Sequence, residues 1–270
     1  MKPFTFILRG EPDQRLDCAP LVPERLAGLS TAEIARLPLN TTRKKITTGE
    51  MFRIRAGDLT SLRLEGGSER LDNIGEGLAA GSIEVEGHVG KAAGRNMSGG
   101  RLTIAGDAGP FAGSGMSGGR LEISGNAGDF LAAPFPGEIQ GLRGGLVVVR
   151  GQAGERAGDR MRRGIIVIEK GTGDYAGSRM IAGTLIVMGS TGRLPGYLMR
   201  RGSLFLAEQV SLSPTFLACG AFPFGFTRLF ADHLKAESRA AARLLRGSFE
   251  RYAGDMAVLG KGEVFVAARW

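Results

Sequence analysis

Residue types that activate water, hold metals or attack carbonyls are scarce in this chain, while arginine is abundant. The 270 residues include two histidines, His88 and His233, and two cysteines, Cys18 and Cys219. That stock is too thin for a four-ligand thiolate site or a disulfide framework, and a free buried thiol is the default for each cysteine. No serine or cysteine nucleophile recurs beside His88, and His233 carries no assignable role. We therefore expect no catalytic residue and no metal ligand in the chain. Lysine and arginine total 35 against 27 acidic residues, a formal charge of +8. The arginines fall in rows: Arg160 and Arg179 lie one interval apart, and Arg162, Arg163 lie two intervals from Arg200, Arg201. Stacked guanidinium groups repel unless they meet an anion. The chemistry these six offer is bidentate capture of carboxylate or phosphate, from a polyanionic ligand or an acidic partner protein. The alternative is solvated arginines whose stems cover turns.

Composition narrows the class. A hydrophobic fraction of 43% excludes wholesale disorder, and no apolar run approaches the roughly 20 residues of a membrane span. The N-terminal Met1, Lys2, Pro3, Phe4 does not open a signal peptide, so a cytoplasmic protein is expected. Aromatic content of 7%, with no basic helix, argues against nucleic acid as partner.

The elements that position these arginines come from a repeat. Glycine numbers 44, and Gly81, Gly100, Gly119, Gly145, Gly164, Gly183 and Gly202 are spaced by 19 five times and by 26 once. The longer interval holds an insertion within 129–140. Met97, Met116, Leu142, Met161, Met180 and Met199 keep the same beat, as do Gly90, Gly109, Gly128, Gly154, Gly173 and Gly192. Each unit carries a short alternating stretch such as Ile83 and Val85, Leu102 and Ile104, or Leu121 and Ile123, which reads as strand. Nineteen residues with glycine-marked corners are too few for a strand, a packed helix and a return. They suit one coil of a stacked solenoid, with methionine filling an irregular interior. The expected fold is all-β, a right-handed parallel β-helix of 19-residue coils with an N-terminal cap and a C-terminal helix. Gly49–Gly57 and Ser61–Gly66 read as degenerate coils ahead of it. His88, Asp107 and Asn126 occupy equivalent positions and read as a polar ladder. Arg101 and Arg120 beside Glu84 and Glu122 read as cross-strand charge pairs.

The domain reading is a cap or adaptor over 1–48, the repeat domain over 49–210, and a hinge, helix and terminal β unit over 211–270. In the cap, Ser30 followed by Glu33 predicts a capped short helix to Leu37. Phe226 to Arg246 predicts a helix with Phe226, Leu229, Phe230 and Leu234 on one face. Val258, Leu259, Val264, Phe265 and Val266 form the terminal β unit. The outward position of each strand changes from Glu84, Thr103 and Glu122 to Val148, Val167, Ile186 and Phe205. An apolar stripe of that length needs a cover, either the C-terminal helix or a partner protein.

The unit formed by Gly94, Met97, Gly100, Leu102, Ile104 and Gly106 recurs from Gly113 to Gly125 and from Gly177 to Gly189. The copy at Gly158 ends one residue late, at Gly171. The copy at Gly75 has Leu78 for methionine, and the one ending at Gly151 has Ile139 for its first glycine and Leu142 for methionine. Across about half the chain this unit resembles the C-type component of formylmethanofuran dehydrogenase. A similar repeat forms the C-terminal domain of the glutamate synthase large chain. The first resemblance implies a noncatalytic β-helical component of a hetero-oligomer with A-, B- and D-type partners. In that family, hydrolysis resides in the A-type partner and formyl transfer in the D-type partner. The arginine-rich composition favours the bacterial formyltransferase/hydrolase complex, which converts formyl-tetrahydromethanopterin to formate through a methanofuran-type coenzyme. Such coenzymes carry glutamate-rich tails, so the resemblance offers Arg160, Arg162, Arg163, Arg179, Arg200 and Arg201 an anionic ligand at the level of the complex. Two other readings are a β-helix carbohydrate lyase or hydrolase and a detached glutamate synthase domain.

Overall fold

The computed structural model describes residues 2–39 and 43–268; Met1, residues 40–42 of the cap segment and residues 269–270 lie outside it. The architecture is mostly sheet: one 13-stranded sheet, two two-stranded pairings and few helices.

The sheet begins in the cap. Strand β1 (Pro3–Leu8) lies antiparallel to β2 (Phe52–Arg55) and parallel to β3 (Asp58–Glu65). Of the two degenerate coils expected, only the second is a parallel member of the ladder. Gly49 falls in a short helix, α3 (Thr48–Met51), and β2 turns back against β1. The strands of the repeat follow: β4 (Ser82–Val85), β5 (Arg101–Ile104), β6 (Arg120–Ile123) and β7 (Arg143–Val149). They continue as β8 (Arg163–Ile168), β9 (Thr184–Val187) and β10 (Arg201–Leu206). Each pairs in parallel with the next, and equivalent repeat positions are in register: Ile83 opposite Leu102, Leu121 opposite Val147, Ile166 opposite Leu185.

A second ladder runs along the coils through single parallel bridges, from Val89 through Ala108, Ala127, Ala153 and Thr172 to Thr191. A third consists of corner hydrogen bonds. The N–H groups of Gly113, Ala132, Gly158 and Gly177 donate to the carbonyls of Ala93, Ala112, Leu131 and Ala157, each one coil earlier. The methionine row is completely buried, together with Leu78 and Leu142. The glycine beat follows from this stacking. Gly119 has φ +76°, and a Cβ there would sit 2.2 Å from the Gly99 carbonyl oxygen, so only hydrogen fits.

The polar row is explained equally locally. The His88 Nδ1 accepts the Asp107 backbone N–H at 3.0 Å, Asp107 Oδ1 accepts from Asn126 at 2.6 Å, and Asn126 accepts from Gln152 at 2.9 Å. Each side chain satisfies a backbone donor one coil ahead.

The cap contains helix α1 (Pro23–Leu26) and helix α2 (Thr31–Arg36), the latter with the expected Ser30–Glu33 capping box. At the other end β13 (Lys261–Ala267) adds in parallel to β10. Strands β12 (Phe249–Gly254) and β11 (Leu217–Phe222) extend the sheet antiparallel. Thus Val264, Phe265 and Val266 are in strand, whereas Val258 and Leu259 sit in the exposed turn before it.

The single helix expected over 226–246 is two: α4 (Gly225–Leu234) and α5 (Arg239–Leu245). The break has a tertiary cause. Ser238 caps α5 by accepting the Ala241 N–H and donates to Glu169 at 2.6 Å, while Arg120 forms an ion pair with Glu237 and Arg150 bonds its carbonyl. The expected face is correct in part: Leu234 is buried and Phe230 packs beside Phe205, whereas Phe226 and Leu229 are exposed and Thr227 and Ala231 are buried instead.

This helical pair covers the apolar stripe. Val167, Ile186 and Phe205 are buried against Ala231, Leu234, Ala241, Ala242 and Leu245, with Phe249 and Phe265 beside them. Earlier coils keep their polar outer positions. Arg120 pairs with Glu122 at 2.7 Å along its own strand rather than across strands, and Arg101, on the neighbouring strand, is exposed and forms no ion pair among the described residues.

Candidate functional site

The arginine corner is set by the backbone. Just before each buried methionine of the repeat the chain turns through the left-handed region: Asn96 (φ +55°), Gly115 (+64°), Arg160 (+49°), Arg179 (+53°) and Leu198 (+54°), whereas Gly141, before Leu142 in the coil with the insertion, does not. Asparagine and glycine adopt that conformation at little cost, whereas other L-residues lose about 1–2 kcal/mol. Local preference therefore does not select arginine at two successive corners, and the equivalent corner accepts Leu198.

Arg179 has an internal use. Its Nε donates to Asp159 Oδ1 at 2.8 Å, its Nη2 contacts the other carboxylate oxygen, and Ser178 Oγ donates to Oδ1 at 2.7 Å. Asp159 is buried, so this charge is neutralised from within. Arg160 and Arg200 have no such carboxylate among the described residues. Together with Arg179 they line a trough of about 340 Å3, completed by Ile139, Ile181, Leu198 and Val258.

Both ends of the trough are held. At one end the insertion is pinned by Phe135, whose ring packs edge-on against Phe111 at 5.2 Å, and by Glu138, which accepts from Arg95 at 2.7 Å. The Arg95 guanidinium also lies over the Phe135 ring, 4.2 Å from its centroid. Ile139 projects from this loop with 75% of its surface exposed. At the other end Asp255 is buried and accepts the Leu198 N–H at 3.0 Å and the Ala257 N–H at 2.9 Å, fixing the turn that carries Val258.

The six arginines predicted as a group thus divide. Arg160, Arg179 and Arg200 converge on the trough. Arg162, Arg163 and Arg201 are exposed and lie outside its lining; Arg163 and Arg201 begin β8 and β10, opposite Arg143 and Lys261. None of these three forms an ion pair among the described residues. The apolar members of the trough escaped sequence reasoning. Ile181 stands in the row of Arg162 and Arg200, and Ile139 replaces a repeat glycine; both substitutions were visible, but their convergence was not.

A larger cavity of about 660 Å3 lies where the cap meets the first coils, lined by Arg15, Arg70, Asp72 and Lys91 among others. Its chemistry is consumed internally: Arg15 donates twice to Asp72, at 2.7 and 2.6 Å, and the Lys91 N–H donates at 3.0 Å. Cys18 is buried nearby, and burial pushes its thiol pKa up, helped by Asp17 and Asp72, so it stays protonated. Among the described residues no group of three or more His, Cys, Asp or Glu side chains could hold a metal ion. No described helix is long and apolar enough to cross a membrane.

Comparison with known proteins adds to this geometry. The GXGXG motif family model matches residues 68–215, the span of the repeat. The C-type component of the formyltransferase/hydrolase complex Fhc of Methylorubrum extorquens is 50% identical over 264 residues, covering 98% of this chain and 99% of the relative. The corresponding component of a molybdenum-containing formylmethanofuran dehydrogenase of Methanosarcina barkeri is 31% identical over 83 residues, 29% of this chain and 28% of the relative. Among solved structures, a chain of the formyltransferase/hydrolase complex FhcABCD from Methylorubrum extorquens, in complex with methylofuran, superposes with a TM-score of 0.95 at 46% identity. That match covers 98% of this chain and all of the other.

Proposed function

This chain belongs to the family of C-type components of formyltransferase/hydrolase complexes, and on that footing we propose that it is the noncatalytic scaffold of such a complex. In this reading it assembles with A-, B- and D-type partners in the cytoplasm. The assembly converts formyl-tetrahydromethanopterin to formate by way of a methanofuran-type coenzyme. The observation that carries the proposal is 50% identity across 98% of the chain to the C-type component of Fhc.

The platform for this role is a right-handed parallel β-helix. Support comes from in-register parallel pairing of every repeat strand, the second ladder of bridges and the continuous methionine column. In this reading the chain divides into a cap over 1–48, coils over 49–210 and a terminal unit over 211–270, whose helices pack on the outer residues Val167, Ile186 and Phe205 of the repeat strands. Strand β1 hydrogen-bonds the cap to the coils.

The exposed cations Arg162, Arg163 and Arg201, outside the trough, have no carboxylate partner among the described residues, which favours their use toward the glutamate-rich coenzyme tail at the level of the complex. Reversing their charge is expected to lower coenzyme retention while leaving the complex together; unchanged retention removes this part of the proposal.

Co-expression of the tagged chain with the A-, B- and D-type partners tests the whole. The expected result is recovery of all four with formate release by the assembly and none by the lone chain. Recovery with flavin and iron–sulfur proteins, or turnover by the lone chain on a polysaccharide, would overturn it in favour of the two other readings.

A further inference from the structure

Within that scaffold reading, we propose that the trough between the insertion and the terminal turn is a docking surface for an acidic segment of a partner protein that also carries apolar side chains. Two features of the trough select this occupant. Its charged wall is entirely cationic: Arg160 and Arg200 lack carboxylate partners among the described residues, and the buried Asp159 is committed to Arg179. Its rims are apolar and exposed, with Ile139 at 75% and Val258 at 41%. A solvated chain of carboxylates uses the guanidinium groups and gains nothing from those rims. A folded partner buries both, and exposed apolar groups ringed by charge mark such contacts.

The trough is also prepared for binding. The Phe135 and Glu138 contacts hold the insertion, and Asp255 holds the turn, so little ordering remains to oppose association. Arg160 finds no carboxylate for its charge among the described residues. A second copy of this chain is a poor occupant, because each copy carries a net charge of +8 and presents the same basic trough.

The test uses the assembled four-component complex. Ile139→Asp and Arg160→Glu, introduced separately, are expected to weaken retention of this chain in the complex by about tenfold or more, with wild-type retention falling as salt rises. Arg36→Glu on α2 changes net charge equally, lies in the cap, and is expected to leave retention unchanged. Ile139 is three-quarters exposed, so its substitution is expected to leave the fold intact, checked by an unchanged circular dichroism melt. A photo-cross-linking residue in place of Ile139 is expected to capture an acidic stretch of a partner protein. Retention equal to wild type in both trough variants would overturn the proposal, as would a cross-link to a second copy of this chain. Loss of coenzyme with every component retained would also overturn it, assigning the trough to the coenzyme tail. All three leave the family role standing. Failure of the wild-type chain to join the complex at all would instead sink the scaffold reading.

Discussion

Removing the Phe205 side chain should detach the helical pair α4–α5 from the coils beneath it. Phe205 is buried at the centre of the covered stripe. Its ring stacks on Phe265 at 4.6 Å with 12° between planes and meets Phe249 edge-on at 5.4 Å and Phe230 at 6.4 Å. A buried Phe→Ala change costs about 3–5 kcal/mol, through lost transfer energy and the cavity left behind. Three aromatic neighbours place this one in the upper half of that range. With a melting entropy of about 2.1 cal/mol/K per residue, a chain of this length loses about 0.6 kcal/mol per degree, so a loss of about 4 kcal/mol lowers Tm by about 7 °C. Circular dichroism melts measure the shift, and amide exchange over 225–245 reports whether the helices open first. Leu229→Ala, on the same helix but 76% exposed, should stay within about 0.5 kcal/mol of wild type. If Phe205→Ala is no more damaging than Leu229→Ala, the helical pair does not derive its stability from this stripe and the reasoning fails.

Gly119→Ala should cost at least about 2 kcal/mol in urea unfolding, because its φ is positive and the new methyl meets the Gly99 carbonyl; Gly10→Ala, with nothing within 4 Å, should be close to neutral. Glu122 supplies a pH-dependent contribution. Burial pushes its carboxyl up, but hydrogen bonds from Arg120 and Arg150 outweigh that and hold it below 4.5. A folded-state value below the unfolded one means the stabilisation is complete above about pH 4.5 and disappears as pH falls through the folded value. The urea midpoint of wild type should therefore fall more between about pH 7 and about pH 3.5 than that of Glu122→Gln, and equal losses would exclude the carboxylate as a source.

The repeat strands and their register were legible because each unit repeats one environment. An interior slot that faces the same neighbours in every turn accepts the same residue type, and Met97, Met116, Met161, Met180 and Met199 record that slot five times. The capped helix at Ser30 was legible because both halves of its capping box lie three residues apart. The helix break near Ser238 was not. Lys235, Ala236 and Glu237 contain no glycine or proline to announce it. The partners that stabilise it, Arg120, Arg150 and Glu169, belong to distant coils. The face of α4 was legible in part: Leu234 is buried and Phe230 reaches Phe205, while Phe226 and Leu229 stay exposed.

The arginine rows illustrate the same boundary between local and distant determination. Their spacing placed six cations on one side of successive coils from sequence alone, because a fixed period carries its side chains into line. Which three would share a trough depended on the insertion holding Ile139 at one end and the terminal turn holding Val258 at the other. Those supports come from contacts between residues far apart along the chain, Glu138 with Arg95 and Asp255 with Leu198. Periodicity constrains neighbours in the repeat; closure of a site by segments outside the repeat is decided only when the folded coils bring their anchoring groups within hydrogen-bond reach.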